Sequence, residues 1–83
     1  MRIVFTAEGW QDYTTWTGQR KVLSRINRMI DEASRDPGYG IGKPERLVGD
    51  LAGCWSRRID QEHRLVYEVH SDDLVIVQAR YHY

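Results

Sequence analysis

Three short stretches of this sequence carry side chains suited to phosphate chemistry. Arg80-Tyr81-His82-Tyr83 sets an imidazole between two phenols, while Glu62-His63-Arg64 and Ser56-Arg57-Arg58 supply guanidinium groups upstream. A guanidinium holds phosphate oxygens through paired N–H donors, and an imidazole moves a proton beside them near neutral pH. Taken singly, each group has an ordinary explanation. Adjacent arginines commonly form a solvated strand face, and histidines near chain ends are commonly exposed. The stretches are separated in sequence, so they act together only if the fold gathers them into one cleft.

The elements that would gather them are legible from periodicity. Ile3-Val4-Phe5 reads as a first strand, and Thr6 as the cap of a helix with Glu8 in its first turn. Trp10, Tyr13 and Trp16 recur as a rough helical stripe that Gly18 ends. Val22, Leu23, Ile26, Met29, Ile30 and Ala33 mark the apolar face of a second helix, which Asp36-Pro37-Gly38 stops. A glycine-rich loop runs from Pro37 to Pro44. Beyond Cys54 the period falls to two, predicting strands over Trp55–Ile59, Arg64–Val69 and Leu74–Tyr81. Their connections are too short for crossover helices, so they form an antiparallel meander. The expected fold class is α+β, with two N-terminal helices on one face of a small, mainly antiparallel sheet.

Strand alternation sorts the side chains. Trp55, Ile59, Leu65, Tyr67, Val69, Val75, Val77, Ala79 and Tyr81 should pack on the helices. Ser56, Arg58, Arg64, Glu68, Gln78, Arg80 and His82 fall on the other face, with Val66 and Ile76 among them. That face is too polar for a second core and reads as a working surface. His63 and His70, near turns, should be exposed, whereas Trp10, Tyr13 and Trp55 should be core and Cys54 a buried filler.

Composition narrows the partners. With 83 residues the chain is expected to be one domain. Twelve basic and twelve acidic residues cancel, so bulk attraction to free nucleic acid is absent and any polyanion contact must be local. The lone Cys54 rules out an internal disulfide and suits a reducing cytoplasm. No secretory or membrane-spanning stretch is expected, since Glu8 and Asp12 follow at once on the first apolar run. No His/Cys/Asp grouping has metal-ligand spacing, and no cofactor is expected.

Four segments taken in order resemble the YoeB-type toxins of the RelE/ParE superfamily of toxin–antitoxin modules. They are Gly42-Lys43-Pro44-Glu45, Leu51-Ala52-Gly53-Cys54-Trp55-Ser56-Arg57-Arg58-Ile59, Glu62-His63-Arg64-Leu65-Val66-Tyr67 and Ala79-Arg80-Tyr81-His82-Tyr83. The likeness covers the whole chain. It implies a microbial-ribonuclease-like sheet and a metal-independent endoribonuclease that cuts messenger RNA in the ribosomal A site. The implied partners are the ribosome, the messenger and a YefM-type antitoxin; self-association as a homodimer stays open. Carried over by position, Glu45 becomes the general base, Arg64 the scissile-phosphate contact, His82 the general acid and Tyr83 its aromatic companion. Arg58 becomes a further phosphate or RNA contact, with Arg46, Arg57 and Arg80 as additional basic contacts. Family members often place a lysine shortly after the glutamate, where this chain has only Arg46 nearby. The superfamily also includes toxins that poison DNA gyrase without cutting RNA, but those relatives lack an acid–base set like Glu45 with His82.

These residue types suit metal-free RNA cleavage. The substrate's 2′-hydroxyl attacks the adjacent phosphorus while the 5′-oxygen leaves in line. The reaction needs a base for the 2′-proton, an acid for the leaving oxygen and cations for the charge that builds up. Arginine fits the last role because it stays charged and binds two oxygens at once.

Overall fold

The computed structural model describes residues 1–80. Its elements are β1 (Arg2–Phe5), α1 (Ala7–Thr14), α2 (Arg20–Arg35), β2 (Glu45–Arg46), a short 3-10 turn (Gly49–Leu51), β3 (Trp55–Arg58), β4 (Arg64–His70) and β5 (Asp73–Gln78). The sheet runs β1-β5-β4-β3-β2. Only the β1–β5 pair is parallel; β2 through β5 form an antiparallel series. Both helices pack on this sheet, as the α+β reading requires. Among the described residues, no helix is long and apolar enough to cross a membrane.

Thr6 starts α1 as its sequence position suggests, its Oγ1 accepting from the Gly9 N–H at 3.0 Å. The same hydroxyl reaches the Val77 carbonyl at 3.1 Å, which ties the start of the helix to β5. At Gly9 a Cβ would collide with the Ile76 carbonyl, so α1 crosses the sheet closer than any larger residue allows. Along α2, Ile26, Met29, Ile30 and Ala33 bury the predicted stripe against Leu65, Tyr67, Leu74 and Ile76. Trp16 joins this core, its indole N–H donating to the Ala79 carbonyl at 2.7 Å.

The predicted parity of β5 is reversed. Leu74 and Ile76 face the helices, while Val77 packs with Val66, Leu47, Cys54 and Leu51 in a second, smaller core. A register shift between Val66 and Tyr67 separates the two pairing frames. Leu74-Val75-Ile76-Val77 is apolar throughout because parts of both its faces are covered, so alternation carries no signal there. Segment 47–54 therefore roofs part of the face expected to be wholly polar. The strand also ends at Gln78, short of Tyr81.

Three side-chain assignments change or hold in instructive ways. Trp10 is 54% exposed, stacking on Tyr13 and meeting Phe5 edge-on at the surface instead of entering the core. His63 is buried, not exposed, with its ring set edge-on to Trp16 at 5.0 Å. Asp60 Oδ1 accepts the N–H groups of Glu62 and His63, closing the turn so that His63 folds inward. Cys54 is buried as expected; burial, with Glu68 beside it, pushes its thiol above the ordinary range.

Candidate functional site

The short strand β2 is what brings Glu45 to the working surface. Pairing with β3 sets Glu45 opposite Ser56, and β3–β4 pairing sets Arg58 opposite Arg64. Cross-strand partners share a face, so these residues gather at one end of the sheet. There Arg64 Nη1 donates to Glu45 Oε1 at 2.8 Å and to Ser56 Oγ at 3.3 Å. The pair is asymmetric: the Arg64 side chain is 15% exposed and that of Glu45 is 53%. A largely sequestered cation thus meets a solvent-accessible carboxylate, which suits charge stabilisation beside a proton acceptor. Ser56, fully buried, supports Arg64 from beneath. Alternation assigned Ser56 to this face, but nothing in its residue type marked it as a support.

The basic residues around this centre divide. Arg58 is exposed beside Arg64, and its backbone is fixed on both sides: its N–H donates to the Gly42 carbonyl, and its carbonyl accepts from Arg25 of α2. Arg46 alternates away from Glu45 and lies over the Trp55 ring at 5.0 Å. Arg80 turns toward α1, with its guanidinium 4.0 Å from the Trp16 ring and bonded to Thr15 Oγ1 at 3.1 Å. The expectation that Arg80 lies beside Arg58 and Arg64 on the polar face is corrected by that contact. Its backbone neighbour Ala79 is gripped from the same helix, its N–H by Asp12 and its carbonyl by Trp16. His82 and Tyr83, with Tyr81, lie outside the described residues.

Arg57 requires a correction. It is 0% exposed and therefore out of reach of a phosphate. Strand alternation puts it with Leu65 on the helix-covered face, against the expectation of an RNA contact. Its Nε donates to the Tyr67 hydroxyl at 2.8 Å, and its two terminal nitrogens reach the carbonyls of Asp36, Pro37, Tyr39 and Ile41. Glu32 sits at 3.5 Å as its one acidic contact. Tyr67 in turn donates to the Pro37 carbonyl, and burial pushes its phenol above the ordinary range.

An open hollow of about 460 Å³ lies on the outer side of the 38–44 loop, lined by Glu32, Tyr39, Ile41 and Pro44 among others. It contains none of the residues predicted to act in the site; Glu45, Arg58 and Arg64 lie on the strands β2, β3 and β4 instead. Among the described residues, no group of three or more His, Cys, Asp or Glu could hold a metal ion.

Comparison with known proteins agrees with this fold. Residues 5–83 match the family described as YoeB-like toxin of bacterial type II toxin-antitoxin system. The toxin YoeB of Streptomyces coelicolor is 63% identical over 84 aligned positions, covering all of both chains. The solved YoeB/ParE toxin from Agrobacterium tumefaciens superposes with a TM-score of 0.95 at 45% identity, again over the full length of both chains. The Staphylococcus aureus YoeB, solved both as a dimer and in a heterotetrameric complex with YefM, is 38% identical with a TM-score of 0.89, covering 100% of this chain and 98% of that one. The chain belongs to the YoeB-like toxins of bacterial type II toxin–antitoxin systems.

Proposed function

We propose that this toxin is a ribosome-dependent messenger endoribonuclease. The observation that carries the reading is the 2.8 Å contact between Glu45 of β2 and Arg64 of β4, reaching across β3, with Arg58 of that strand beside it. An incoming phosphate competes with Glu45 for the Arg64 guanidinium. That exchange leaves the carboxylate next to the substrate, ready to accept the 2′-hydroxyl proton. Arg64 and Arg58 then stabilise the charge on the equatorial oxygens, and His82 protonates the departing 5′-oxygen. Tyr83 stacks on a base or orients the phosphate. The products are a 2′,3′-cyclic phosphate and a free 5′-hydroxyl, and the route uses no metal or cofactor.

Zero net charge argues for delivery of the substrate by the ribosome. The protein lacks the diffuse attraction that gives sequence-independent affinity, and a strand fixed in the decoding site has already lost the freedom that in-line attack requires. Slow cleavage of naked RNA at physiological salt is the corollary. A YefM-type antitoxin, like the partner in the S. aureus complex, would hold the toxin inactive in the cytoplasm, and a homodimer like the S. aureus one is a second assembly to test.

The test is purified protein added to translating ribosomes, followed by primer extension on the message. Cuts confined to the A-site codon establish the reading. Intact message together with inhibited DNA supercoiling would replace it with the gyrase-poisoning alternative.

A further inference from the structure

Arg57 and Arg58 are identical in type and adjacent in sequence, yet only Arg58 faces solvent. A fully buried guanidinium carries a large desolvation penalty, and its one carboxylate, Glu32, stands at the limit of hydrogen-bond distance. An aliphatic side chain opposite Leu65 would fill core space without that penalty. What Arg57 has, and an aliphatic lacks, is a fork of donors aimed at carbonyls of one segment, Asp36 to Ile41. That segment lies in the connection from α2 to β2, which contains Gly38, Gly40 and Gly42, residues that by themselves leave a chain loose.

The packing is close on the loop side as well. Gly40 has φ +126°, and a Cβ there would collide with the Glu32 carboxylate and the Arg57 guanidinium. Gly42 has φ +88°, and a Cβ there would lie 3.0 Å from the Arg57 Cβ. The Gly42 carbonyl accepts the Arg58 N–H at 2.6 Å, locking the loop end to β3 just before Glu45.

We propose that Arg57 is a positioning residue, which clamps the 36–42 loop onto β3 and so holds Glu45 at the Arg64 guanidinium. This rests on the nuclease reading for its effect on rate, but not for its effect on geometry. Successive β3 residues thereby divide the work: Ser56 supports Arg64, Arg57 fixes the loop that delivers Glu45, and Arg58 faces the substrate.

Arg57→Lys keeps the charge but loses the fork, and Gly40→Ala disturbs the clamp while leaving Arg57 in place. Each variant would be compared with wild type and Arg64→Ala, with folding checked by circular dichroism. Two readouts are independent of activity: hydrogen exchange at the Ile41 and Arg58 amides, and the carbon resonance of the Glu45 carboxyl. Both variants should speed exchange at those amides by about 10-fold or more. They should also move the Glu45 resonance toward its position in Arg64→Ala. In single-turnover cleavage on programmed ribosomes, the maximal rate should fall about 10- to 100-fold, the scale of a small misplacement of a reacting group, with half-saturation unchanged. Arg58→Ala, which removes a substrate contact as well as transition-state charge, should weaken half-saturation in addition to lowering the maximal rate. A folded Arg57→Lys with wild-type exchange and an unmoved Glu45 resonance would overturn the proposal. So would a loss seen only in half-saturation, which would make Arg57 an RNA contact. Should wild type fail to cut at all, the nuclease reading falls while exchange and resonance still decide the clamp.

Discussion

The two ends of the proposed reaction centre are anchored by opposite means. On the Glu45 side, a buried cation in the sheet gathers the carbonyls of a flexible loop. On the side leading in sequence to His82, side chains of and just beyond α1 hold the chain past β5: Asp12 takes the Ala79 N–H, Trp16 the Ala79 carbonyl and Thr15 the Arg80 guanidinium. The first anchor is sunk in the core and has many redundant bonds. The second, among the described residues, includes two bonds to Ala79 and one to the Arg80 side chain. The loop before Glu45 is thus fixed from within the core, whereas Ala79 and Arg80 are held by groups in and just beyond α1, a difference that separate substitutions can probe.

Removing the groups themselves gives the largest effects. His82→Ala should reduce cleavage about 10²- to 10⁴-fold and abolish growth arrest while the protein still folds, because it removes the proposed proton donor. Growth arrest at wild-type strength on expressing this variant would exclude the acid role. Arg64→Ala should lose about 10²- to 10³-fold through transition-state charge, and Arg64→Lys should recover little of it. A lysine variant with most of the single-turnover rate would show that a point charge suffices.

A smaller effect separates the two anchors. Trp16→Phe keeps a ring beneath Arg80 but deletes the N–H that holds the Ala79 carbonyl. Stability should fall by about 1 kcal/mol for one lost hydrogen bond, read by urea denaturation, and the cleavage rate should fall about 10-fold. Hydrogen exchange at Ile41 should not change. If that amide also exchanged faster, the two anchors would be one coupled structure and the contrast between them would fail.

The smallest effect is on pH dependence. The Ile41 N–H, at 2.7 Å from Glu32 Oε1, is the main influence holding the Glu32 carboxyl below its ordinary value of 4.5, with Arg28 adding to it. A carboxyl with a lowered folded-state value contributes stability above its unfolded-state value and loses it as pH falls through the folded-state value. The stability difference between wild type and Glu32→Gln should therefore be full near neutral pH and shrink below about pH 4.5. Asp73 behaves in the same sense, held down chiefly by its hydrogen bond from Arg2. Thermal melts from pH 7 to pH 3 test this, and a difference that stayed constant would remove Glu32 from the clamp.

What sequence disclosed, and what it withheld, follows the physics of each segment. α2 was legible because one face of a long helix is apolar at helical spacing, and Thr6 because capping is a local act. β5 misled, since Leu74 to Val77 is apolar on both sides. Glu45 could be recognised only by resemblance, because a strand as short as Glu45–Arg46 has no period to read. Arg57 was read as an RNA contact for a related reason. Arginine is rarely buried, so residue type points outward, and its carbonyl partners come from a loop whose path no local pattern reveals. His63 faces inward because of a turn closed by Asp60, which the spacing of charged residues conceals.

The parallel pairing of β1 with β5 has a consequence for synthesis. Arg2 meets Asp73 across 71 positions, so the strand made first waits for the strand made last among the described residues. Until β5 emerges from the exit tunnel, the α2 stripe lacks Leu74 and Ile76 to pack on, and β1 has no neighbour to pair with. Such long-range closure is slow and cannot proceed piecemeal. Nascent chains arrested before Asp73 should stay open to protease, and those with Gln78 clear of the tunnel should become resistant.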